Sequence, residues 1–155
     1  MSTKFLLHSI RPALSRPSSQ FLSPAITSRL FQTSSFKMGV HNINSKADFY
    51  KAINGEEVTL AADNVLPSKN VAILDCFATW CGPCKTIAPI YAQLSEKYTS
   101  VNFLKIDVDE VPDLSQELGI RAMPTFMVFK DGEKVEEIVG ANPPALEKAL
   151  LKYSA

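Results

Sequence analysis

The stretch Val71-Ala72-Ile73-Leu74-Asp75-Cys76-Phe77 constrains this chain more than any other. Its apolar run is continuous, with no polar residue at every second place. That is the pattern of a strand covered on both faces in the middle of a sheet. The pattern then changes within a few residues. Ile87, Ile90, Tyr91, Leu94 and Tyr98 recur at helical spacing, and Pro89 inside that helix predicts a kink. A fully buried strand leading straight into a helix calls for a sheet with helices on its faces.

The remaining elements agree. Val40-His41-Asn42-Ile43 reads as a short first strand. Ser45 and Asp48 form a capping-box pattern ahead of a helix that places Phe49, Ala52 and Ile53 on one face, with Gly55 as its stop. From Gly55 to Asn70 no period is visible, so a surface loop is predicted. Val101 to Val108 reads as a second buried strand. Pro112 opens a short helix bearing Leu114 and Leu118, closed by Gly119. Thr125–Phe129 and Lys134–Val139 read as strands joined by a hairpin turn at Lys130-Asp131-Gly132-Glu133. Asn142 caps a last helix with Pro143 at its first position and Leu146, Leu150 and Tyr153 facing inward. The predicted order is β-α-β-α-β-α-β-β-α, an α/β fold with a central mixed β-sheet flanked by helices on both faces. At 155 residues the chain suits one domain.

Two of the three cysteines lie in Cys81-Gly82-Pro83-Cys84. An odd count does not make a secreted disulfide framework. A structural zinc site needs four ligands, and the other candidates, Cys76, His41 and His8, have no suitable spacing, so no metal site is expected. The pair falls between a buried strand and a helix. Cys81 is placed at the helix N-terminus, where free N–H groups and the helix dipole favour a thiolate and a lowered pKa. Cys84 follows in the first turn, and Pro83 stiffens it at little cost. Such a pair can run thiol–disulfide exchange: Cys81 attacks a target disulfide, and Cys84 resolves the mixed disulfide. An inert buried pair is the competing reading.

The formal charge of zero conceals an asymmetry. Residues 1–38 hold Lys4, Arg11, Arg16, Arg29 and Lys37 and no acid, a total of +5; residues 39–155 hold 11 basic against all 16 acidic residues. The acidic body offers no footprint for nucleic acid, and no apolar run reaches the roughly 18 residues a membrane span needs. The Ser- and Arg-rich head reads as a mitochondrial transit peptide, with a disordered basic tail as the alternative. Within it, Arg29-Leu30-Phe31-Gln32-Thr33-Ser34 resembles a matrix-processing pattern, and trimming from Phe31 would end at Met38. The expected division is therefore 1–38 transit peptide and 39–155 folded domain. The expected location is the mitochondrial matrix, or the cytosol if translation starts at Met38.

Ala78-Thr79-Trp80-Cys81-Gly82-Pro83-Cys84-Lys85 resembles the active site of the thioredoxin family. The resemblance extends over roughly Val40 to Ser154. It includes Asp75 six residues before Cys81, Met123-Pro124-Thr125, Asp131-Gly132 and Val139-Gly140-Ala141. It implies the thioredoxin fold and the following roles. Cys81 is the nucleophile and Cys84 the resolving thiol. Asp75 is the buried acid that moves a proton for Cys84, its pKa raised by an apolar setting. Lys105 is the lysine near that acid, a solvated strand-end lysine being the alternative. Pro124 is a cis-proline facing the disulfide. Trp80, Gly82, Pro83, Met123, Pro124, Gly140 and Ala141 form the target-binding surface.

The resemblance also implies partners: a thioredoxin reductase that spends NADPH, so that this chain uses NADPH only indirectly, and disulfide-containing targets such as peroxiredoxins and methionine sulfoxide reductases. No bound cofactor beyond the Cys81–Cys84 redox disulfide is expected, and a monomer is. Two rival functions are a disulfide isomerase or oxidase of the same fold and a non-catalytic docking subunit. Gly-Pro between the cysteines and the basic head argue against the first. Loss of disulfide reduction in a Cys81→Ser variant would exclude the second. Two features depart from the family pattern: the long Gly55–Asn70 segment, and Cys76, expected on the opposite face of the strand from Asp75 and buried as a small hydrophobe.

Overall fold

A computed structural model describes residues 39–60 and 64–154. The transit-peptide reading of residues 1–38 lies outside the described residues. The elements are β1 (Val40–Asn42), α1 (Lys46–Ile53), β2 (Val58–Leu60), β3 (Asn64–Leu66), β4 (Val71–Phe77), α2 (Gly82–Lys97), β5 (Val101–Asp107), α3 (Pro112–Glu117), β6 (Thr125–Lys130), β7 (Glu133–Val139) and α4 (Pro143–Tyr153). The main sheet runs β1-β5-β4-β6-β7. β4 pairs parallel with β5 and antiparallel with β6, so the mixed sheet has the continuous apolar run at its centre.

The pleat of β4 and β5 divides the core in two. Ala72, Leu74, Cys76, Leu104 and Ile106 pack with Phe49 and Ile53 of α1 and Leu114 of α3. Val71, Ile73, Val101 and Phe103 pack instead with α2 and α4, through Ile87, Tyr91, Leu146 and Leu150 among others. Tyr91 is 2% exposed, and its hydroxyl meets two strand carbonyls, Ile73 O at 2.8 Å and Leu104 O at 2.9 Å. A buried phenol is thus satisfied and ties α2 to both central strands.

The local signals act as their chemistry requires. Ser45 is extended at the start of α1, accepts the Asp48 N–H at 3.1 Å and donates to its carboxylate at 2.7 Å. Asn142 accepts the Ala145 N–H at 3.2 Å and so caps α4. Asp131 and Gly132 both adopt positive φ, 51° and 84°, as the tight β6–β7 hairpin needs. α2 continues through Pro89 to Lys97.

One expectation is corrected. The Gly55–Asn70 segment is not a plain surface loop: β2 and β3 form an antiparallel pair with Val58 opposite Leu66. Both of these are buried, 3% and 0% exposed, in the core beside α1. The segment is tied down by Asn102 Nδ2 donating to Pro67 O at 2.8 Å, Lys69 Nζ donating to Val101 O at 3.1 Å, and the Ser68 hydroxyl donating to Gly55 O. Each strand has three residues and buries one side chain fully, too little to display a period.

Candidate active site

The site grows from the C-terminal ends of the parallel strands β4 and β5, where open α/β sheets place their chemistry. β4 ends at Phe77, and Ala78-Thr79-Trp80 carry the chain to Cys81, the N-cap of α2. Cys81 and Cys84 form a disulfide, with S–S 2.01 Å and Cα–Cα 5.4 Å. Cys81 Sγ also accepts the backbone N–H of Cys84 at 3.2 Å, the role an N-cap oxygen usually fills. Gly82 and Pro83 fill the exposed start of the helix, and Pro83 sacrifices no intrahelical hydrogen bond there. Cys81 and Cys84 are 5% and 4% exposed and pack with Ala78, Phe77, Val108 and Met123.

Asp75 sits beneath this pair. It shares a cavity of about 290 Å3 with Cys84, Lys85 and Lys105. It is 4% exposed, and its Oδ1 makes no hydrogen bond. Burial pushes its carboxyl up from 3.8 to about 7, against the opposing pull of the Lys105 charge. Lys105 is its cross-strand partner on β5 and lays its ammonium 5.5 Å from the centre of the Phe77 ring. The strand-end lysine is thus half-buried beside the acid rather than fully solvated. Cys76, one residue on, faces the α1 side of the sheet as a free buried thiol, as the alternation of a strand requires. Burial, then the Asp75 and Glu137 charges, push that thiol well above its ordinary value.

The lip of the site comes from two other turns. Met123–Pro124 is a cis peptide bond. The Gly140 N–H donates to Pro124 O at 2.7 Å, which binds the Gly140–Ala141 turn to that loop. Gly140 has φ 91°, a conformation that favours glycine. Trp80 is 67% exposed, and its Nε1–H donates to Asp109 Oδ2 at 2.9 Å. Asp109 and Val108 are additions to the residues read from sequence. The Asp109 N–H is held by Asp107 Oδ1 at 2.9 Å, and the Val108 N–H donates to Phe77 O at 2.9 Å, joining the two loops. The one available signal was the Asp107-Val108-Asp109 run at the end of a parallel strand.

The sequence pattern of the thioredoxin family matches residues 40–152. This chain belongs to the thioredoxin family. Its chemistry is accordingly thiol–disulfide oxidoreduction, as a protein-disulfide reductase. It is 48% identical over 123 residues to thioredoxin-2 of Pyricularia oryzae, covering 79% of this chain and 64% of that protein. With thioredoxin Asp f 29 of Aspergillus fumigatus it shares 51% over 107 residues, 66% of this chain and 97% of that one. The crystal structure of Malassezia sympodialis thioredoxin (Mala s 13) superposes with TM-score 0.65 at 39% identity, over 77% of this chain and 94% of that one. Mitochondrial thioredoxin 3 of Saccharomyces cerevisiae, in its oxidised form, gives TM-score 0.62 at 35% identity over 73% and 94%. A chain from a structure on the thiol-resolving mechanism of a yeast mitochondrial 1-Cys peroxiredoxin gives 0.62 at 34% over the same shares. The thioredoxin fold is thus common to all three.

Proposed function

We propose that Cys81 is the attacking thiol, Cys84 the resolving thiol and Asp75 the group that moves the proton between resting and reacting Cys84. The observation that carries this reading is a disulfide at the N-cap of α2 with an unbonded buried carboxyl beneath it. In the reduced protein the Cys84 N–H and the helix N-terminus favour a Cys81 thiolate. That thiolate attacks a target disulfide; the target S–S bond breaks, a Cys81–target disulfide forms and one target thiolate leaves. Asp75 takes the proton from Cys84, whose thiolate attacks Cys81 Sγ. The Cys81–Cys84 bond forms, and the second target thiolate leaves and is protonated. A carboxyl that titrates near neutrality can serve as base here and as acid in the reverse direction. Lys105 is its charge partner. Trp80, Gly82, Pro83, Met123, Pro124, Gly140 and Ala141 form the surface on which targets lie.

The disulfide is recharged by a thioredoxin reductase using NADPH, so the chain holds no cofactor of its own. The targets are protein disulfides, including those of peroxiredoxins and methionine sulfoxide reductases. The similar chain from the structure on a yeast mitochondrial 1-Cys peroxiredoxin supports the first of these. Residues 1–38 act as a mitochondrial transit peptide and 39–155 as the working domain in the matrix. Support comes from the acid-free basic head and from the yeast mitochondrial relative. A Cys84→Ser variant mixed with insulin tests the roles of the pair. It should accumulate a mixed disulfide through Cys81, whereas Cys81→Ser should form none; the reverse pattern would exchange the roles. Protease protection of the endogenous protein in intact mitochondria tests the location, and a purely cytosolic protein would overturn it.

A further inference from the structure

A second depression, of about 390 Å3, adjoins the loop that carries Met123 and Pro124. Its walls are the turn after α3 and the outer strand β7, and its charged members are Arg121, Lys134 and Glu137. Two of these neutralise each other, since Lys134 Nζ lies 2.8 Å from the Glu137 carboxylate. Arg121 stands apart. It is exposed and makes no ion pair, hydrogen bond or ring contact with the described residues. A guanidinium offers a fork of donors matched to a carboxylate.

Position gives this lone cation its meaning. The depression also includes Thr125 and Val139, the residues next to Pro124 and Gly140, so it is continuous with the lip of the site. Arg121 precedes Pro124 by three positions, a span of at most about 10 Å. The acidic part of the rim lies elsewhere, on the β5–α3 turn, where Asp109 is already engaged by Trp80 and exposed Glu110 follows. We infer that Arg121 is a specificity-determining residue: it favours disulfide targets that carry an aspartate or glutamate within a few residues of the cysteine attacked. Such a target meets a cation on one side and avoids the acidic turn on the other. This rests on the reading of Cys81 as the attacking thiol.

The test uses two synthetic peptides with the same internal disulfide, differing only by Glu or Lys two residues from the reactive cysteine. Their second-order reduction rates are measured with the reduced full chain and with Arg121→Glu. The wild type should reduce the Glu peptide about two- to tenfold faster, the scale of an exposed ion pair set against a repulsion. Arg121→Glu should invert the preference, which a misfolded variant could not do. About 0.5 M salt should flatten both preferences. The same preference in both proteins would overturn the role of Arg121. If the wild type reduced neither peptide, the reading of the Cys81–Cys84 pair would fail, and this inference with it.

Discussion

Replacing Asp75 by Asn should stabilise the oxidised protein, and by an amount that grows with pH. Burial raises the carboxyl from 3.8 to about 7, with Lys105 pulling the other way. The folded protein therefore holds this proton more tightly than the unfolded chain does. That advantage is complete below about pH 4, is lost as the pH rises toward 7 and is gone above it. At 1.36 kcal/mol per pH unit, the interval amounts to about 4 kcal/mol, a large part of a typical folding free energy. Asn cannot ionise, so the variant escapes this loss; it gives up the attraction to Lys105, which trims the gain. The stability gap between variant and wild type should widen by about 3 kcal/mol from pH 5 to pH 8. Denaturant unfolding of both oxidised proteins at the two pH values measures it directly. A gap that stays constant, or narrows as the pH rises, would refute the claim that an ionised Asp75 is desolvated in the fold. On the proposed role of Asp75 as the group that takes the Cys84 proton, the same variant should also reduce protein disulfides more slowly.

Lys105→Met removes the charge that opposes burial, so Asp75 should ionise at a higher pH, and the pH profile of disulfide exchange should move upward; a downward move would exclude the pairing. Gly132→Ala should cost about 1–3 kcal/mol in unfolding, because φ is 84° and the new Cβ would lie 2.6 Å from Asn54 Oδ1. Cys76 should resist alkylation in the folded oxidised protein and react as a single thiol once it is denatured, since it is 0% exposed. Labelling of Cys76 in the native state would mean that the sheet opens on the α1 side.

Much of this molecule is legible in its sequence because the signals are local. The unbroken apolar run of β4 can satisfy itself only between two layers. The caps at Ser45 and Asn142 and the Asp131-Gly132 turn act within three or four residues, the range over which a side chain reaches its own backbone. Cys81 and Cys84 fall at a helix start because strand and helix patterns meet there, and Cys76 turns from Asp75 because a strand alternates.

Tertiary structure alone decided the rest. The β2–β3 pair has too few inward residues to show a period, and its place depends on Leu66 reaching the core beside α1. The register of β4 on β5 sets Lys105 opposite Asp75, and how far that lysine tempers the acid depends on packing that no spacing rule contains. Trp80 meets Asp109 across 29 positions of chain. Arg121 is left without an ion pair while Lys134 and Glu137, which share its depression, pair with each other. Periodicity and capping are properties of a few consecutive residues and survive in the written order. Register, burial and pairing are properties of residues far apart in that order, and they exist only once the chain has closed on itself.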